Sequence, residues 1–190
     1  MALCPSTCAP ALPEAISGGC GITVRNGGIS KIVFVRCDYT FTDISDRDEW
    51  IAAINHTTEG PNPQPDPYVV FSGLLLAQKP KGTFTKKRIS SCAPEQLVGK
   101  ENQITFQDYN SDPLNCKDIE FWNTIVNAAS SYQMGYYTCD GYFYGLVEEF
   151  SIEVDQVIED NTTGNIFFDG TISWLDLNML CGVQVDLNGL

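Results

Sequence analysis

From Phe150 onward apolar and polar residues alternate, with Phe150, Ile152 and Val154 on one face and Glu149, Ser151, Glu153 and Asp155 on the other. A period of two is the signature of a strand with one buried face. After Asn161-Thr162-Thr163-Gly164 the same rhythm returns, setting Ile166, Phe168, Ile172 and Trp174 against Asp169, Thr171 and Ser173. These are two amphipathic strands facing one core. Just upstream, Asp140-Gly141 separates two aromatic runs and predicts a two-residue type I′ hairpin, so residues 134–174 read as a β-meander.

The rest of the chain supplies more strands and two helices. Residues 21–25, a turn at Asn26-Gly27-Gly28, and Ile29–Tyr39 read as strand, turn, strand, and Lys31–Cys37 is apolar on both faces, as a central strand would be. Tyr68–Ala77 predicts a buried strand, Gln103–Tyr109 an amphipathic one, and Gly182–Val185 a short last one, after a bend near Asp176. A short helix is expected near 46–54, capped by Ser45 with Asp48 three residues on, burying Trp50, Ile51 and Ile54. Ile119, Trp122, Ile125, Val126 and Ala129 recur at helical spacing and predict the main helix over 118–132. The expected fold is therefore mainly β, a sandwich-like pair of packed antiparallel sheets with one main α-helix and one short helix.

Proline and glycine mark the boundaries. Residues 1–20, with Pro5, Pro10 and Pro13, read as an extended N-terminal arm, and 21–190 as a single β-rich domain. Within it, residues 55–67 carry Pro61, Pro63, Pro65 and Pro67 and predict a stiff projecting loop suited to an interface.

Charge changes the picture most. The formal net charge is −13 over 190 residues, which disfavours a nucleic-acid groove. Yet five of the eleven basic residues, Lys79, Lys81, Lys86, Lys87 and Arg88, fall in one segment. That segment is either a solubilising edge or a contact with an acidic surface on another copy, docked head to tail. No apolar run reaches the ~18 residues that span a bilayer. The N-terminus shows neither a basic n-region nor a continuous apolar stretch, so the chain is expected to stay in the cytoplasm of the cell that makes it. In that reducing compartment the eight cysteines read as free thiols, mostly small buried hydrophobes, with Cys4-x3-Cys8 the one near match to zinc spacing.

No catalytic constellation emerges. His56 is the single histidine, and it sits beside the proline run without a G-x-S-x-G context; no P-loop or dinucleotide fingerprint is present. The carboxylates Glu148, Glu149, Glu153, Asp155, Glu159 and Asp160 read as a solvated acidic face, because neighbours along one strand face cannot flank a glycosidic bond. Asp43, Asp46 and Asp48 read as helix-start charges, and the two N-x-T sequons at Asn55 and Asn161 as chance. No cofactor is expected.

The strings KIVFVRCD (31–38), SDRDEWIAAI (45–54), KGTFTKKR (81–88) and FFDGTISW (167–174), in that order, resemble small virion structural proteins of tailed phages infecting gut Bacteroidales. The resemblance implies a β-rich, non-enzymatic subunit of a tail tube or a head-decoration layer, located in the virion after synthesis in the host cytoplasm. Its partners would be copies of itself and other virion proteins, without specific nucleic-acid or membrane binding. In a tube, Glu149, Glu153 and Asp155 would be candidates for the lumen wall. The alternative is a carbohydrate-binding or adhesion β-sandwich, for which the chain has 21 aromatic residues to present.

Overall fold

The computed structural model describes residues 28–88, 90, 95–159, 165–187 and 189–190. The expected arm and first strand, Cys4, Cys8, Cys20 and Cys92, and the Asn161–Gly164 turn lie outside them. β1 (Ile29–Arg36) is the strand about which the first half of the sheet forms. β6 (Tyr132–Thr138) pairs along one edge, followed by β7 (Tyr142–Val147) and β10 (Gly182–Gln184). β2 (Val69–Phe71) takes the other edge. The second half is built on β5 (Gln96–Asp108), with β9 (Ile166–Leu175) and then β8 (Ser151–Ile158) on one side. Its other side carries β3 (Leu76–Gln78) at one end and β4 (Thr83–Lys87) at the other.

Every pairing is antiparallel, and the mainly β, sandwich-like expectation holds. One refinement concerns connectivity. The two layers belong to a single ladder, joined between β1 and β3 by the pair Ile29 and Ala77. Period-two alternation then distributes the side chains. Ile32 and Phe34 of β1, with Met134 and Tyr136, share one apolar cluster with Ile104, Phe106, Ile172 and Trp174 of the second leaf. α2 (Cys116–Asn127) adds Trp122 and Ile125 to it. On the opposite face of β1, Val33 and Val35 pack with Trp50 and Ala53 of α1 (Arg47–Ile54) and with Val185 and Leu187 of the C-terminal segment. The buried Tyr137 hydroxyl pins that segment, donating to the Val185 carbonyl at 3.0 Å and accepting from Leu187 N at 3.2 Å.

Several local expectations are corrected. Tyr68–Ala77 is two strands, because Ser72 stands in for the ladder: Ile32 N donates to its Oγ at 2.8 Å and its own N donates to Ile32 O at 2.9 Å. The 138–142 hairpin has a three-residue loop. Gly141 has φ +85° while Asp140 does not have a positive φ, and Gly141 N bonds Thr138 O, so this is a type I turn closed by a left-handed glycine. Asp46, and not Ser45, caps α1 by accepting from Asp48 N; the Ser45 hydroxyl is drawn to Asp43 Oδ1 at 2.6 Å. α2 begins at Cys116 under an Asn115 cap and ends at Asn127, followed by a 3-10 turn over Ala129–Ser131. Pairing of Tyr132 with Arg36 takes the expected last residue of the helix into β6.

Two substitutions probe this packing. The Phe106 ring covers its cross-strand partner Gly170, where an added Cβ would lie 2.3 Å from Cζ. Gly170→Ala is expected to destabilise the fold by about 1–3 kcal/mol in urea denaturation, with part recovered when Phe106→Leu opens the space. Tyr136 is buried and stacked on Tyr144 at 5.0 Å, and burial, then the Tyr144 charge, pushes its phenol up to about 12. An unfolded tyrosine ionises near ~10, so the unfolded chain loses this proton first and the corresponding stability falls as pH rises from about 10 to 12. Ultraviolet titration of the folded protein should show the Tyr136 phenol still protonated at pH 11, an absorbance step that Tyr136→Phe removes.

Candidate functional site

β4 is an edge strand, and all five of its residues are exposed. Thr83 stands opposite Glu101, Phe84 opposite Lys100, Thr85 opposite Gly99, Lys86 opposite Leu97 and Lys87 opposite Gln96, with Val98 bulged out. β9 ends at Leu175, opposite Glu101, so residues 96–100 of β5 have β4 as their one strand partner. The sheet therefore narrows here to a two-stranded ribbon, a form of marginal stability by itself. Directly paired residues share a face, which places Phe84 beside Lys100 and Leu97 beside Lys86 on the side that carries Asn102, Trp174 and the core. The apolar face thus continues beyond the core as Phe84 and Leu97, 45 % and 46 % exposed.

The predicted basic residues gather around this ribbon. Lys86 and Lys87 lie in β4, Arg88 follows it, and Lys79 and Lys81 lie in the turn that leads to it. Lys79 places its ammonium 5.5 Å from the Trp174 ring centre, and partial burial, then the Lys100 charge, lowers its pKa. Arg88 pairs with Glu95 at 3.5 Å. Among the described residues Lys86 and Lys87 have no ion pair.

The carboxylates gather at the other end of the same leaf. Glu153 and Asp155 are exposed on the outer face of β8, and Asp155 stands directly opposite Asp169 of β9. Gln107 of β5 continues the row, its Nε2 donating to Asp169 Oδ2 at 3.2 Å. Glu149 lies in the turn before β8, exposed but off the strand. Like charges directly opposite in a sheet are unfavourable. Asp169 is the missed member of this group, because only strand pairing brings it to Asp155.

Exposed apolar residues mark the same leaf. Leu97, Val98, Phe84, Leu175, Leu177 and Met179 cluster in sequence around the ribbon end and the turn beyond β9. Tyr109, Leu114 and Ile158 follow or close β5 and β8, Leu74 precedes β3 and Leu76 opens it. Among the described residues no other large apolar side chain is comparably exposed.

The proline loop is a separate feature. Thr57 bridges to Pro65, Thr58 N bonds Gln64 O, and Asp66 N bonds His56 O, so the loop closes as a narrow hairpin with Pro61, Pro63 and Pro65 exposed. Its base is clamped by Arg36, which pairs with Asp38 at 2.6 Å and Asp66 at 2.9 Å and lies over Tyr68. His56 belongs to this clamp: Nδ1 bonds Asp66 O at 2.8 Å and the ring packs on Tyr68 at 4.1 Å. A cleft of about 610 Å³ beside the clamp is lined by Phe34, Arg36, Cys37, Asp66, Tyr68 and Tyr132. The described cysteines, Cys37, Cys116, Cys139 and Cys181, are exposed free thiols at element ends, which corrects the expectation of buried ones. No group of three metal-ligating side chains forms among the described residues.

No protein-family model matches the chain, and no curated protein or solved structure is significantly similar to it.

The two basic settings should respond differently to substitution. Lys86→Glu with Lys87→Glu should change monomer stability by no more than about 0.5 kcal/mol, since both side chains are exposed and have no ion pair among the described residues. Arg36→Ala, which removes the guanidinium that pairs with Asp66 and lies over Tyr68 at the loop base, should lower it measurably more than the lysine pair does in the same denaturation assay.

Proposed function

We propose that this chain is a non-enzymatic structural subunit that assembles with copies of itself, of the virion type its sequence resembles, in a tail tube or a head-decoration layer. It would be made in the host bacterial cytoplasm and act in the particle with other virion proteins. The observation that carries this reading is the one-sided exposure of the second leaf. Large apolar side chains stand in solvent along it while the first leaf is packed on both faces. Large apolar side chains left exposed at both ends of one leaf fit an interaction surface. The reading invokes no membrane, and no helix among the described residues is long and apolar enough to cross one.

One observation favours the carbohydrate-binding alternative. Tyr109 is exposed, rests on Phe167 at 4.6 Å, and its hydroxyl donates to Gln107 Oε1, beside Asp169. A ring next to an amide and a carboxylate can hold a sugar. Glycan binding by an isolated monomer, abolished by Tyr109→Ala, would favour that reading.

Sedimentation of the full chain over a range of concentrations tests self-assembly. The wild type is expected to form species larger than a monomer, and Phe84→Ser with Leu97→Ser to weaken association at least about tenfold while the circular dichroism stays unchanged. A wild type that remains monomeric at high concentration and low salt would overturn the proposal.

A further inference from the structure

We infer that copies join head to tail along the direction of β5, the basic β4–β5 ribbon of one copy seating on the carboxylate corner around Asp155 and Asp169 of the next. This rests on the self-assembly reading and adds to it a polarity and a partner surface. Lys86 and Lys87 sit opposite Leu97 and Gln96, whereas Asp169 sits opposite Gln107 and Asp155 lies one strand further. About ten residues of β5 separate the two groups, roughly 33 Å at ~3.3 Å per residue. Salt screens exposed charges beyond about 8 Å, so the ribbon cannot neutralise the carboxylate corner of its own copy.

Each end also carries apolar surface that a partner would cover. Phe84 and Leu97 extend the core face at the basic end, and Tyr109 and Ile158 are exposed where β5 and β8 finish at the acidic end. The two ends differ in sign, so they match each other and not themselves. A two-fold contact between ribbons would oppose lysine to lysine, and one between corners would oppose carboxylate to carboxylate. The contact that satisfies both is heterologous, the kind that closes into rings or continues as a filament. Exposed ion pairs contribute only about 0–1 kcal/mol each, so the charges fix register and encounter rate while apolar burial holds the copies together.

A charge exchange between two variants of the full chain tests this. One carries Lys86→Glu and Lys87→Glu; the other carries Asp155→Lys and Asp169→Lys. Each alone should associate at least about tenfold more weakly than the wild type in low salt, since like charges then meet at every junction. Mixed in equal amounts they should regain assembly beyond two subunits with both variants in equal share, because each ribbon now faces an opposite corner. Circular dichroism monitors folding, and the milder Asp155→Asn, Asp169→Asn variant should assemble more slowly than the wild type with a weaker dependence on salt. If either reversal variant assembles like the wild type, or the folded pair stays monomeric when mixed, the junction lies elsewhere; a tube with Asp155 on its lumen wall predicts the first result. Growth that stops at one copy of each variant indicates ribbon-to-ribbon pairing and overturns the head-to-tail contact. A wild type that never self-associates removes the structural-subunit reading itself, an outcome separate from all of these.

Discussion

Four consecutive residues of β1, Ile32 to Val35, have no solvent exposure, so this strand must be covered on both faces. The architecture follows from that constraint. One face takes the second leaf and α2, and the other takes α1 and the C-terminal segment. Fully burying side chains of this size contributes about 1.5–3 kcal/mol each, against about 0.5–1.5 kcal/mol for a typical net hydrogen bond. With α1 and the C-terminal segment committed to the far side of β1, they are not placed over the outer face of the second leaf. That face keeps the rhythm of a solvated sheet, with Gln107, Asp169, Thr171, Ser173, Glu153 and Asp155 directed outward. The polar outer face of the second leaf is thus a consequence of how the central strand is covered.

Where the sequence could be read, the cause was local. The alternation in 150–158 and 166–174 and the unbroken apolar run at 31–37 report the pleat directly, and β1, β8 and β9 lie where that pattern puts them. Both helices were visible from their spacing. The errors fall where a distant partner decides. Ser72 breaks a strand because its hydroxyl meets Ile32 N, forty residues away in sequence. Tyr132 leaves the helix because Arg36 offers it a ladder position. The first seven residues of β5 were missed because Gly99, Lys100 and Glu101 interrupt the apolar pattern. Lys100 is nonetheless only 8 % exposed, its long stem buried and its ammonium 5.7 Å from the Phe84 ring centre.

The candidate surface was legible in the same uneven way. Clustered lysines are a property of the linear chain and stood out at once. Their apolar companions did not, because Phe84 and Leu97 become neighbours of Lys100 and Lys86 only through the β4–β5 register, including the bulge at Val98. The acidic corner is likewise a product of pairing: Asp155 and Asp169 are opposite one another across β8 and β9. Glu149, which shares the alternation in sequence, falls before the strand begins.

The ribbon itself is the part of the fold that the monomer explains least. Ordering each residue of β4 costs about 1–2 kcal/mol of backbone entropy, whereas a net ladder hydrogen bond returns only about 0.5–1.5 kcal/mol. With every residue of β4 exposed, little hydrophobic burial is added to that balance. The strand is therefore held near the margin in a single copy, and any surface that covers Phe84 and Leu97 stabilises the ribbon and the contact together. In the proposed assembly such coupling would make association sensitive to the apolar face, and Lys86 and Lys87, unpaired among the described residues, would select which surface the ribbon meets.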